Sequence, residues 1–281
     1  MRDHGFSASA VLSRVSDISP KKISWLWPGR IPLGKLTLLA GDPGLGKSFV
    51  TLDIAARVTR GDSWPDDPNP CEPGSVIILS AEDDTADTIR PRLEAAGARL
   101  EKVHILDAVR RSKPNGEISL QHFSLETDLE ALRSAAVLLD DLRLVILDPI
   151  SAYFGSVDSH TNARVRSVLS PLIEGAASLS FAVVAVDHLS KSNRQAIYRP
   201  NGSIAFTAAA RAVWLFAKNP DDPTQRLMLP AKLNLAPDQS GLSYKLVEGT
   251  PGIVTVMWGE STNLLADSVL TSEGAEERSE R

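Results

Sequence analysis

From about residue 31 onward, short apolar runs alternate with longer stretches of helical periodicity, which predicts a mostly parallel sheet flanked by helices. Lys35–Ala40 reads as a strand and Lys47–Arg60 as the helix that follows it. Ser75–Ser80 is a second strand, followed by a helix over Thr85–Ala96 that Gly97 brings to an end. A third strand is expected at Val103–Asp107, and a polar stretch, Arg110–Phe123, leads into a helix over Glu126–Leu139. Leu144–Leu147 and Ala182–Val186 are continuous apolar runs, the pattern of strands covered on both faces, with Asn162–Leu179 as the helix crossing between them.

Beyond Arg211 the rhythm changes. Ala212–Ala217, Arg226–Lys232, Leu242–Val247 and Ile253–Trp258 all read as short strands, punctuated by Asn219-Pro220, Asp222-Pro223, Ser240-Gly241 and Pro251-Gly252. The expected fold is therefore α/β, with an antiparallel β extension appended to a parallel sheet. Residues 1–30 are polar and irregular and read as an arm, although they carry Trp25 and Trp27. Residues 31–260 form the expected domain, and residues 261–281 an acidic tail that frays.

Composition narrows the class. The 281 residues are 43% apolar and 23% charged, as in an ordinary globular protein. A net charge of -5 excludes coating of nucleic acid by bulk charge, but not a local basic groove. The single cysteine, Cys71, excludes an intrachain disulfide and a cysteine-based zinc site. No apolar run reaches the roughly 18 residues of a membrane span, and Met1–Ala10 lacks the apolar stretch of a signal peptide. A cytosolic protein without a membrane partner is the expectation.

The chemistry starts at Gly41-Asp42-Pro43-Gly44-Leu45-Gly46-Lys47-Ser48, which matches the phosphate-loop pattern. Glycines let backbone N–H groups turn inward around phosphate oxygens, and the following helix turns its positive end toward the same anion. Lys47 is expected to reach the terminal phosphates of ATP, and Ser48 to ligate Mg²⁺. A chance match in a chain of this length arises on the order of 1% of the time, and the flanking strand and helix lower that further.

Asp148 directly follows four apolar residues and so stands at the carboxyl end of a central strand, where it can complete the Mg²⁺ shell with Ser48. Its plainer role is to cap a turn before Pro149. Glu82, Asp83 and Asp84 end the second strand; Glu82 is nearest the strand end and is the expected base for the attacking water. Asp83 or Asp84 can instead cap the next helix. His188 ends the strand Ala182–Val186 with Asp187, where it can sense a γ-phosphate or merely cap the strand. The remaining histidines show no metal-ligand spacing.

Taken together, these residues resemble the RecA-like ATPases of the plasmid replicative helicase (RepA-like) type, a family often labelled only as AAA-type ATPases. The resemblance covers about Trp25 to Trp258. It rests on the phosphate loop, Ser80-Ala81-Glu82-Asp83, Asp148 and Asp187-His188-Leu189-Ser190-Lys191. It rests further on Gly202-Ser203 followed by Ala209-Ala210-Arg211-Ala212-Val213-Trp214, and on Lys232-Leu233-Asn234. It implies a RecA-like P-loop core that assembles into a ring, usually of six subunits, with ATP bound between neighbours. It also implies Glu82 as catalytic base, His188 as γ-phosphate sensor, Arg211 as an arginine finger entering the neighbour's site, and Lys232 near that interface. By its own chemistry Arg211 is equally a strand-edge cation.

The loop Ser190–Gly202 carries Lys191, Arg194, Tyr198 and Arg199 with few acids, chemistry suited to gripping single-stranded DNA, or to a solvated loop. Asp158, His160 and Asn162 lie in another candidate pore loop and add no positive charge. Relatives of this kind commonly continue into a helical C-terminal segment and carry primase or DNA-binding modules, so loading and targeting parts are expected from partners. Two functions follow: a DNA-stimulated helicase-type motor in plasmid, phage or mobile-element replication, or a nucleotide-switched regulatory scaffold that unwinds nothing. Glu82 and the antiparallel extension argue against a small-molecule kinase, and strands over 212–258 against a machine with a helical lid.

Overall fold

A computed structural model of the chain describes residues 10–112, 116–155, 162–189, 204–250 and 252–269. Among these, nine strands form one sheet. In chain order they are β1 (Leu36–Gly41), β2 (Ser75–Ser80), β3 (Val103–Ile105), β4 (Leu142–Asp148), β5 (Ala182–His188), β6 (Ala212–Lys218), β7 (Arg226–Leu233), β8 (Gly241–Thr250) and β9 (Ile253–Thr262). Across the sheet the order is β9-β8-β7-β6-β1-β5-β4-β2-β3. The strands from β3 to β6 run parallel, and β7, β8 and β9 are antiparallel to their neighbours. The run Ala212–Ala217, read from sequence as part of the antiparallel extension, is thus a parallel strand paired with β1. The extension begins one strand later.

Side-chain alternation along the central strands divides the core into two layers. Leu36, Leu38, Val145, Leu147, Val183 and Ala185 point to one face, where they pack with α3 (Leu129–Leu138) and α4 (Asn162–Leu179). Leu39, Leu144, Ile146 and Val184 point to the other, against α1 (Lys47–Arg60) and α2 (Arg90–Ala95). With helices on both faces, the strands are apolar throughout, which is why their sequences read as unbroken runs.

Two predicted helices are altered. A π-helical turn, Thr85–Ile89, precedes α2 where one helix over Thr85–Ala96 is expected; Pro91 has no N–H to continue the ladder. The helix expected from Glu126 begins only at Leu129, because Asp128 ties back to Ser124, its carboxylate accepting from the Ser124 N–H at 2.9 Å. A short helix that the hydrophobic pattern does not announce, α5 (Ile204–Ala209), leads into β6.

The segment read as an arm enters the core at Trp25. Trp25–Trp27 pairs with Ile31–Pro32, and Leu26, Trp27 and Arg30 are buried. Trp27 stacks on Trp64 at 4.8 Å, and the Arg30 guanidinium lies over Trp27 and Trp214 while pairing with Asp66 at 2.6 Å. Lys191, Arg194, Tyr198, Arg199, Gly202, Ser203, Asp158 and His160, with residues 1–9 and the tail beyond Val269, lie outside the described residues.

Candidate active site

Four neighbouring strands bring the predicted polar groups to one edge of the sheet. Asp148 is in register with Ser80, Asp187 with Ala40, and His188 with Gly41. The carboxyl ends of β1, β5, β4 and β2 therefore line up in that order, with the phosphate loop at one end and Glu82 at the other. This is the edge at which open parallel sheets bind ligands.

The loop after β1 turns through Gly44 and Gly46, with φ of 80° and 86°. A side chain would be strained at both positions. Gly46 is the left-handed residue that opens α1, so the first N–H groups of the helix face the bowl of the loop. Lys47 is 4% exposed. Its ammonium donates to the carbonyls of Gly41 at 2.7 Å and Asp42 at 2.9 Å, and lies 3.5 Å from His188 Nδ1. Burial pushes its pKa below the ordinary lysine value, against the pull of Asp148, Asp42, Asp187 and Glu82.

Asp148 is 9% exposed. Burial pushes its carboxyl up to about 6; a hydrogen bond from Ser48 opposes this, and the charges of Glu82 and Asp83 add to it. A hydroxyl and a buried carboxylate are hard oxygen donors, and a cation between them relieves the burial of the Asp148 charge. The pair fits Mg²⁺, which usually takes one or two protein oxygens and completes its shell with phosphate and water. No group of three or more potential His, Cys, Asp or Glu ligands occurs among the described residues.

The three acids after β2 are sorted by their partners. Asp84 caps the π-turn, accepting from the N–H groups of Ala86 at 2.7 Å and Asp87 at 3.1 Å. Asp83 pairs with Arg92 at 2.9 Å, and that guanidinium also lies over the Phe49 ring. Glu82 has its side chain 63% exposed, with Oε1 3.7 Å from His188 Nε2. Of the three, Glu82 is the acid beside the histidine.

Asp187 carries no role that its sequence position alone predicts. It is 1% exposed, one carboxylate oxygen accepts from the His188 N–H at 2.9 Å, and the other has no partner among the described residues. Burial pushes its carboxyl up to about 8, so it is largely protonated at neutral pH. Only its place beside His188 on an otherwise apolar strand could have singled it out.

Arg211 and Lys232 stand apart. Arg211 is exposed and precedes β6 at the amino-terminal edge of the sheet; Phe216, in register with Gly41, is five residues further, about 17 Å along the strand. Lys232, paired with Val213, donates to the carbonyls of Thr207 at 2.8 Å and Ala210 at 2.8 Å, and so caps α5. Neither reaches the phosphate loop within the chain.

The sequence profile of the AAA domain family matches residues 6–194, and the chain belongs to that family. Together with the sheet order and the phosphate loop, this defines a RecA-like P-loop ATPase core. Among curated proteins, the chain is 24% identical over 163 residues to the DNA repair protein RadA of Streptococcus pneumoniae, covering 58% of this chain and 32% of that one. It is 25% identical over 182 residues to RadA of Halalkalibacterium halodurans, covering 62% and 32%. RadA of Mycobacterium tuberculosis is 28% identical over 163 residues, covering 58% and 28%. The chain thus spans about a third of the length of the curated relatives it matches. No helix among the described residues is long and apolar enough to cross a membrane.

Proposed function

We propose that the chain is a Mg²⁺-dependent ATPase motor of helicase type, acting on single-stranded DNA as a homo-oligomeric ring in plasmid, phage or mobile-element replication. The observation that carries the reading is the exposed Glu82 carboxylate 3.7 Å from His188 Nε2, with the other ring nitrogen of His188 3.5 Å from the phosphate-loop lysine. A hydrolytic site needs an acid with this freedom, and its two neighbours are engaged elsewhere.

In this reading Lys47 exchanges the Gly41 and Asp42 carbonyls for oxygens of the terminal phosphates. Ser48 and Asp148 would hold Mg²⁺, which would neutralise charge on the phosphate oxygens. Glu82 orients a water and takes its proton as the water oxygen bonds to the γ-phosphorus and the bond to the bridging oxygen breaks, releasing ADP and phosphate. His188, between Glu82 and Lys47, registers whether the γ-phosphate is present. Arg211 reaches a phosphate only across a subunit boundary, which is why a ring is part of the proposal; Lys232 steadies the adjoining end of α5.

The DNA half draws on the resemblance to helicase-type motors, on relatives named as DNA repair proteins, and on the basic loop with Lys191, Arg194, Tyr198 and Arg199. Binding of a labelled single-stranded oligonucleotide across a salt series tests it. Lys191→Ala with Arg194→Ala should weaken binding and flatten its salt dependence, since fewer counterions are released. Unchanged affinity removes that loop from the DNA interface.

A further inference from the structure

The three-stranded extension does more than widen the sheet, because β8 passes under the phosphate loop. The Tyr244 hydroxyl donates to the Leu45 carbonyl at 2.6 Å in a fully buried contact. Two residues along, Leu246 packs so closely on Gly46 that a Cβ built there would lie 2.9 Å from its Cδ1. On the other side, Phe216 of β6 closes on Gly41, with its ring edge-on to Tyr244 at 5.9 Å. The loop is thus gripped from below by residues about 200 positions later in the chain, while its upper side stays open: a Cβ at Gly44 would meet nothing within 4 Å.

We infer that Tyr244 is a positioning residue for the phosphate loop, aiming the Gly46 N–H into the bowl by holding the Leu45 carbonyl outward. The two groups belong to one peptide plane, and in a trans peptide they point in opposite directions. Fixing the carbonyl away from the bowl therefore fixes the N–H toward it, before any phosphate arrives. Such preorganisation strengthens binding by removing an ordering cost. Burial keeps the phenol protonated well above its ordinary range, so the donor persists at every working pH.

This inference rests on the loop binding a nucleotide, as proposed above, and is independent of DNA. The test compares the unmodified chain, Tyr244→Phe and Trp64→Phe by equilibrium binding of a fluorescent ADP, steady-state ATP turnover and thermal melting. Trp64 stands at the far end of the same aromatic cluster, stacked on Trp27, which meets Trp258 and through it Tyr244. Tyr244→Phe should raise the Kd for ADP and the KM for ATP by roughly three- to tenfold, the effect of one hydrogen bond, with kcat changed less than about twofold. Trp64→Phe should lower the melting temperature and leave the Kd unchanged. Equal ADP affinity in Tyr244→Phe and the unmodified chain overturns the inference, as does equal weakening by Trp64→Phe. If the unmodified chain binds no ADP, the reading of the site falls and this inference with it. Fluorotyrosine at position 244 keeps ring and donor should the phenylalanine variant not fold; ADP should shift its fluorine resonance, and an unmoved signal overturns the assignment.

Discussion

His188 Nε2 lies 3.7 Å from Glu82 Oε1, while Nδ1 of the same ring lies 3.5 Å from the Lys47 ammonium. One imidazole thus bridges the residue expected to hold the γ-phosphate and the residue expected to activate the water. On the proposed reading, a phosphate entering the loop would draw Lys47 away from that ring. In the proposed function the sensing role of His188 rests on this contact, which nucleotide would change.

Lys47→Ala should weaken ATP binding at least about 100-fold, because charge-assisted hydrogen bonds to phosphate contribute on the order of 1.5–3 kcal/mol each and more than one is lost. Calorimetric titration with Mg²⁺-ATP measures this.

Glu82→Gln should keep ATP affinity within about threefold while turnover falls by roughly 10²–10⁴, the usual contribution of a general base. Normal turnover by this variant would assign the base to another acid. Asp84→Ala provides the contrast: it removes a helix cap, so the melting temperature should fall while turnover per folded molecule is retained.

Much of this site is legible in sequence because its parts are local. The phosphate loop is contiguous, and Glu82, Asp148 and His188 each sit where an apolar run ends, so strand order alone brings them to one edge. Three small hairpins among the described residues escape the hydrophobic pattern. Ser63–Trp64 with Asp67–Pro70 is rich in Pro and Asp; Val109–Ser112 with Ile118–Gln121 lies within a polar stretch; Trp25–Trp27 with Ile31–Pro32 is too short for any periodicity. Likewise invisible are contacts between distant segments, such as Tyr244 with Leu45 or Trp258 with Asp53, which depend on the extension folding back over α1. The parallel sense of β6 is hidden too, since an apolar run does not reveal the direction of its partner.

The nearly buried Asp187 sets a pH dependence. Its folded-state pKa of about 8 lies above the ordinary carboxyl value of 3.8, so the folded chain holds a proton that the unfolded chain has released. Its stabilising contribution is complete below about pH 4 and is lost as pH rises toward and through 8. Asp187→Asn should remove this slope. Melting temperatures of the nucleotide-free proteins should shift relatively in the variant's favour from pH 5 to pH 8, and parallel curves would contradict the assignment.

Arg211→Ala should abolish most turnover while leaving ATP affinity per subunit within about twofold, since the residue lies about 17 Å along the strand from its own phosphate loop. Mixing it with Glu82→Gln should restore part of the activity, because some interfaces then pair an intact base with an intact arginine. Failure at every mixing ratio would leave Arg211 a strand-edge cation.

The most direct test of the whole account is the steady-state ATP hydrolysis rate of the unmodified chain with Mg²⁺, measured with and without single-stranded DNA. The account predicts hydrolysis that rises several-fold on adding DNA. A slow rate unchanged by DNA at any concentration would contradict the motor and leave a nucleotide-switched scaffold in its place.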